Sequence, residues 1–96
     1  MLQIRPTCEN CNKTLLPDSL EAMICTYECT FCENCVEKEL FNVCPNCGGG
    51  FEKRPVRPKN ELLQNPASRK VIYKPINLDK FQNLLNTFKN ILPYKR

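Results

Sequence analysis

Apolar residues recur every three or four positions near the end of the chain. Leu78, Phe81, Leu84, Leu85, Phe88, Ile91 and Leu92 fall on one stripe, the signature of a helix with one face against a surface. Asn77 is placed to cap it and Pro93 to stop it, so the pattern predicts an amphipathic helix over 77–92. At about four turns such a helix is marginal alone and needs a partner surface. The first half has a weaker pattern. Met23, Ile24 and Tyr27 suggest a short strand over 22–27. Cys32, Cys35, Val36, Glu39 and Leu40 recur at helical spacing, so a helix is expected to open at Cys32, with Phe41 adding bulk near its end. Pro17-Asp18-Ser19 reads as turn chemistry.

Between these parts the pattern breaks down. Pro55, Pro58, Pro66 and Pro75 punctuate 51–75. One helical turn fits 59–64, but Asn65 precedes a proline and is pushed out of helix. Val71-Ile72-Tyr73 is a brief β-like run. The chain therefore divides into a Cys-rich module over 1–50, a basic Pro-rich extension over 51–75 expected to dock on it, and the helical segment 76–96.

Residues 1–50 are too few to build a sufficient apolar core, and modules of that size lean on metals or disulfides. All eight cysteines lie there, as the pairs Cys8/Cys11, Cys25/Cys29, Cys32/Cys35 and Cys44/Cys47. Zinc takes four ligands in a tetrahedron, and structural sites are often all cysteine. Two intervening residues let one tight turn aim both sulfurs at one ion. Three pairs have that spacing, and Cys25-x3-Cys29 is one residue looser. Eight ligands fill two sites with none left over, whereas a catalytic zinc keeps a position open for water. The chain has no histidine, so the commonest general base is missing too. These features point to two structural zinc ions and to no enzymatic activity.

Turn residues agree. Asn12 follows Cys11 and Gly48 follows Cys47, and both types tolerate the left-handed conformation that a knuckle demands after its second ligand. Val36 follows Cys35 and suits a helix instead. Iron is the main rival metal. The bacterial cluster run C-x2-C-x2-C-x3-C is followed by proline. This chain has the reverse order, C-x3-C-x2-C-x2-C, with Val36 in the proline's place. The C-P-N-C-G knuckle is also similar to the iron knuckles of rubredoxin. Disulfides need an oxidising compartment, and residues 1–10 show no apolar signal-peptide core. A redox C-x-x-C belongs in a βαβ setting.

Charge alters the picture in two ways. The formal +4 treats each cysteine as neutral. Metal ligands are thiolates, and two divalent ions in eight thiolates bring the total close to zero. The charge is also divided: residues 1–50 carry three basic and seven acidic groups, residues 51–96 eleven and three. No run approaches the roughly 18–20 apolar residues of a spanning helix, so a soluble, cytoplasmic protein is expected.

The eight ligands resemble the cross-brace of RING-type zinc fingers. Cys29-Thr30-Phe31-Cys32-Glu33-Asn34-Cys35-Val36 is similar to that family's H-x-F-C-x-x-C-(I/L), with cysteine for the usual histidine, and Cys44-Pro45-Asn46-Cys47 to its final C-P-x-C. The resemblance implies one site of Cys8, Cys11, Cys32 and Cys35 and a second of Cys25, Cys29, Cys44 and Cys47, with Phe31 in the core between them. The residues alone leave sequential pairing open. A knuckle plus a helix that starts with ligands is also the treble-clef pattern. The expected fold is thus a small α+β metal-stabilised module, RING-like or treble-clef, followed by an amphipathic helix. Over residues 1–75 the chain further resembles a family of short bacterial proteins numbered 1272 among domains of unknown function. The matching stretches are 2–11, the E-C-T-F-C core within 25–35, C-P-N-C-G-G, R-P-V-R-P, N-P-A-S and Lys74-Pro75. That resemblance implies a bacterial source and brings no activity.

Four functions follow. A protein-interaction adaptor needs nothing beyond a zinc-stabilised surface, with a protein partner or self-association through the 77–92 helix. Nucleic-acid binding would use the basic second half, but Glu33, Glu37 and Glu39 on the module helix repel phosphate. Zinc release or thiol-based redox sensing fits thiolate chemistry. Ubiquitin-ligase activity fits poorly: Asn10, the tryptophan-free stretch at Leu40 and Phe41, and Gly48 depart from what such ligases show, and only Pro45 agrees. Membrane binding is not expected, since the helix's polar face offers only two basic residues, Lys80 and Lys89, against the acidic Asp79.

Overall fold

Three short strands make one antiparallel sheet. A computed structural model describes residues 1–96. Its central strand is β1 (Ala22–Ile24), flanked by β2 (Thr30–Cys32) and β3 (Glu52–Lys53). Met23 stands opposite Phe31 on one side and Lys53 on the other. The sheet thus reaches past residue 50 into the Pro-rich extension. The strand expected over 22–27 stops at Ile24, because the chain turns there. Cys25 N–H bonds the carbonyl of Cys29 at 3.2 Å, Glu28 N–H bonds the carbonyl of Cys25 at 3.0 Å, and Glu28 takes a left-handed φ of 62°. That turn brings the Cys25–Cys29 pair to one end of the hairpin.

After β2, Cys32 is extended and a short helix α1 (Glu33–Cys35) begins. It widens into a π-helical turn (Val36–Leu40), closed by Phe41 N–H on the carbonyl of Val36. Phe41 and Asn42 then both adopt positive φ, 49° and 60°. Asparagine tolerates that conformation and a bulky residue resists it. Two anchors hold the reversal: Leu40 and Val43 are fully buried on either side, and Asn42 Oδ1 accepts from Phe51 N at 2.9 Å.

The interior lies under the sheet. Phe31 meets Phe51 edge to face at 5.4 Å and 75°, a favoured aromatic geometry. Twenty of the 96 residues are buried, and six of those are cysteines. So much of the core is sulfur that apolar burial alone is a thin basis for stability.

The basic extension docks through its guanidiniums. Arg54, buried, donates from Nη1 to the carbonyl of Arg5 at 2.8 Å and from Nη2 to that of Leu16 at 2.9 Å. Arg57 reaches the carbonyls of Leu2 and Asn65. The single helical turn expected after Pro58 is α2 (Lys59–Gln64), and it ends at Asn65, extended before Pro66. Residues 71–73 form no strand. Backbone bonds at Ser68 N–H to Ile4 and Lys74 N–H to Glu9 fasten this stretch to the N-terminal segment.

The terminal helix is α3 (Leu78–Phe88). Asn77 caps it, its Oδ1 accepting from Lys80 N at 3.3 Å. Phe81 and Leu85 are buried, and Leu84 and Phe88 pack partly against the same core. The middle of the stripe therefore rests on its own chain, leaving Leu78, Ile91 and Leu92 exposed. The helix ends four residues before the expected Leu92. Leu92 precedes Pro93 and is extended, with ψ of 142°, and a 3₁₀ turn (Pro93–Lys95) follows. Arg96 then ties the end down, Nη1 donating to the carbonyls of Asn42 and Gly48. No helix is long and apolar enough to cross a membrane.

Candidate metal centre

Two knuckles with the same local frame present the first and last cysteine pairs. In one, Asn12 N–H bonds the carbonyl of Cys8 at 3.0 Å; in the other, Gly48 N–H bonds that of Cys44 at 2.8 Å. Each turn closes through a left-handed residue, Asn12 at 62° and Gly48 at 78°, as their types permit. Cys32 and Cys35 lie one turn apart where β2 passes into α1, and Val36 continues in right-handed helix.

These elements gather the sulfurs into two clusters that could hold metal ions. The Sγ atoms of Cys8, Cys11, Cys32 and Cys35 all lie within 4.8 Å of one another, as do those of Cys25, Cys44 and Cys47. Cys29 lies outside that mutual distance and completes the second cluster, its Sγ 3.3 Å from the side-chain amide of Asn46, which stands between Cys44 and Cys47. Spatially, the first pair joins the third, and the second joins the fourth.

The donor set fits a tetrahedral thiolate metal. A metal–sulfur bond of about 2.3 Å sets the edge of an all-sulfur tetrahedron at about 3.8 Å, and Cys11 Sγ stands 3.8 Å from Cys32 Sγ. A disulfide needs about 2.05 Å, and all eight cysteines are free. Burial pushes the thiols of Cys8 and Cys35 up, and that of Cys25 up to about 11. Cys29 is drawn down to about 5, first by its bond from Cys44 and further by Asn46. Cys44, donating to it and buried, is correspondingly raised. A cation seated among these sulfurs would favour thiolate at each of them. Each cluster has one exposed corner, Cys11 in the first and Cys47 in the second.

N–H groups point at the sulfurs from outside. Tyr27 N bonds Cys25 Sγ at 3.3 Å and Gly49 N bonds Cys47 Sγ at 3.4 Å. Asn10 Nδ2 lies 3.4 Å from Cys35 Sγ, and Asn46 Nδ2 lies 3.3 Å from Cys29 Sγ. Such outer contacts orient metal ligands and tune them. Asn10 also binds Glu39 Oε2 at 2.6 Å and accepts Ile76 N at 3.0 Å, joining the first knuckle to the helix and the tail. Glu9 is buried between the knuckles, and burial first, then the nearby Cys29 sulfur, raises its carboxyl. Sequence reasoning missed Glu9 and Asn46. Both occupy the variable places of C-x-x-C pairs, where a polar residue ordinarily faces water.

Residues 1–57, which include all eight cysteines, match the family model described as Protein of unknown function (DUF1272). A protein of Rhizobium meliloti (strain 1021), Uncharacterized protein R02474, is 55% identical over 75 residues, covering 78% of this chain and 89% of that protein. No solved structure matches.

Proposed function

We propose a function from the residues themselves, because this chain belongs to the DUF1272 family, whose description assigns none. The protein is read as a structural zinc module, of RING-like or treble-clef type, with two four-cysteine sites that stabilise a surface for a protein partner. The convergence of eight thiols into two closed groups, with no cysteine left over, carries this reading. Tetrahedral all-sulfur sites favour zinc or iron, and zinc, which has no redox chemistry, suits a scaffold. Four thiolates fill each coordination shell and leave no position for a reacting water, so the role is non-catalytic. Exposed Tyr27, at the tip of the Cys25–Cys29 loop, and exposed Phe41, at the end of the π turn, are large side chains available to a partner.

Charge supports a protein partner over a nucleic acid. Arg54, Arg57 and Arg96 are spent on backbone carbonyls, Lys53 pairs with Glu33, and Lys74 binds Asn46. Nearly half of the basic groups in the second half are thereby engaged within the chain. The test is native retention on immobilised protein, with and without prior metal removal by a chelator. One companion protein held in fixed proportion by the metal-loaded form and lost from the stripped form is expected. A protein that repeatedly elutes alone in both states contradicts the adaptor role.

A further inference from the structure

Glu9 is the one buried acidic residue of the molecule, only 3% exposed. It lies inside the first knuckle, between Cys8 and Cys11. An ionised carboxylate is kept inside a protein only by hydrogen bonds and a counter-charge, and Glu9 has both. Its Oε2 accepts Thr30 N at 3.0 Å and Arg5 Nη1 at 3.2 Å. Its Oε1 accepts Asn46 Nδ2 at 3.3 Å. Thr30 lies between Cys29 and Cys32, which belong to different clusters. Asn46 lies between Cys44 and Cys47. One carboxylate therefore touches segments that carry sulfurs of both groups.

Asn46 Nδ2 is at the same time 3.3 Å from Cys29 Sγ. Cys29 is the sulfur that stands outside the tight grouping of Cys25, Cys44 and Cys47, and its pair has the looser three-residue spacing. A donor that aims it inward matters most at such a position. Lys74 Nζ steadies the far side of the same amide, 3.1 Å from Asn46 Oδ1.

We propose that Glu9 is a positioning residue for the second cluster, acting through Asn46 to hold Cys29 toward Cys25, Cys44 and Cys47. The metal of one cluster then depends on a side chain from the knuckle of the other. This rests on the reading of the clusters as metal sites. In Glu9→Gln the new amide keeps the shape but turns an N–H₂ group on the N–H of Thr30 or the amide of Asn46, so donor meets donor. Loss of such an outer contact typically weakens a metal site by about 10–100-fold.

The experiment loads the full chain with cobalt(II) alone, whose sulfur charge-transfer and d–d bands count tetrahedral thiolate sites. A competing chelator then withdraws the metal while native mass spectrometry reads the two-, one- and zero-cobalt species. The wild type is expected to hold two. E9Q is expected to lose one cobalt at about 10–100-fold lower chelator and to keep the other at the wild-type level. Asn46→Ala, which leaves Glu9 and the first knuckle intact, is expected to show the same one-sided loss, and it decides the matter should E9Q not fold. Cys29→Ser, which removes a sulfur of the second cluster, is expected to give up the same ion. Phe81→Ala, a general loosening of the core, is expected to leave the ratio of the two release steps unchanged. A wild type that binds no cobalt overturns the metal reading and the inference with it. Two bound cobalt ions that E9Q and N46A release as the wild type does, or release together to the same degree, overturn the link through Glu9 alone.

Discussion

Gly48→Ala probes the place where the last knuckle meets the terminal helix. Gly48 sits at a φ of +78°, where an ordinary L-residue costs roughly 1–2 kcal/mol. The added methyl would stand 2.9 Å from Phe88 Cε2, 3.1 Å from Cδ2 and 3.4 Å from Leu84 Cδ1. A ring on a half-buried helix face can yield, at an overpacking cost near the lower end of the usual range, about 1 kcal/mol. The two effects together remove about 2–3 kcal/mol, a large share of a small domain's stability. For a chain of this size each kcal/mol moves the thermal midpoint by about 4–8 °C, so a fall of at least about 8 °C is expected. The assay is thermal unfolding by circular dichroism at a fixed excess of metal, because ligand binding itself shifts the midpoint. Phe88→Ala separates the two causes. Without the ring, Gly48→Ala should cost only its backbone share, and the difference of about 1 kcal/mol is the coupling between knuckle and helix. A Gly48→Ala protein within about 0.5 kcal/mol of wild type would refute the reasoning. So would a penalty that stays the same whether or not Phe88 is present.

Two further outcomes are expected. Arg54→Lys replaces a fork that serves two carbonyls with a single amine. One buried acceptor is left short, at about 1–3 kcal/mol, read as a lower urea midpoint of the metal-loaded protein; an unchanged midpoint speaks against the docking role given to Arg54. Acidification should release metal and fold together, because protons compete with the ion for thiolates. The stability that metal supplies is present at neutral pH and lost as pH falls, and a far-ultraviolet spectrum that survives metal loss would contradict this.

Chemistry that depends on neighbours in sequence was legible without coordinates. Cysteine pairs at knuckle spacing, Asn12 and Gly48 in left-handed positions, a helix opening at Cys32 and the stripe of α3 are all local signals. What depends on distant partners was not. The basic extension is expected to dock, but nothing near Arg54 or Arg96 in sequence announces the carbonyls about fifty residues away that each binds. Glu9 reads as a solvated acid because nothing near it in sequence announces Thr30 or Asn46. Strand β3 is two charged residues, Glu52 and Lys53, with no alternation to betray it. The opposite error occurs at 71–73, where β-formers find no strand to pair with, since strand preference is realised only by tertiary context. The π turn also escaped notice, because its end puts Phe41 in a conformation that bulky residues resist.

Metal content with its coordination sphere tests the central claim most directly. Elemental analysis of the purified chain, joined to X-ray absorption at the metal edge, should give two zinc ions per chain, each with four sulfurs at about 2.3 Å and no nitrogen or oxygen ligand. A folded chain that carries no metal, or whose mass shows cysteines oxidised in pairs, would contradict it.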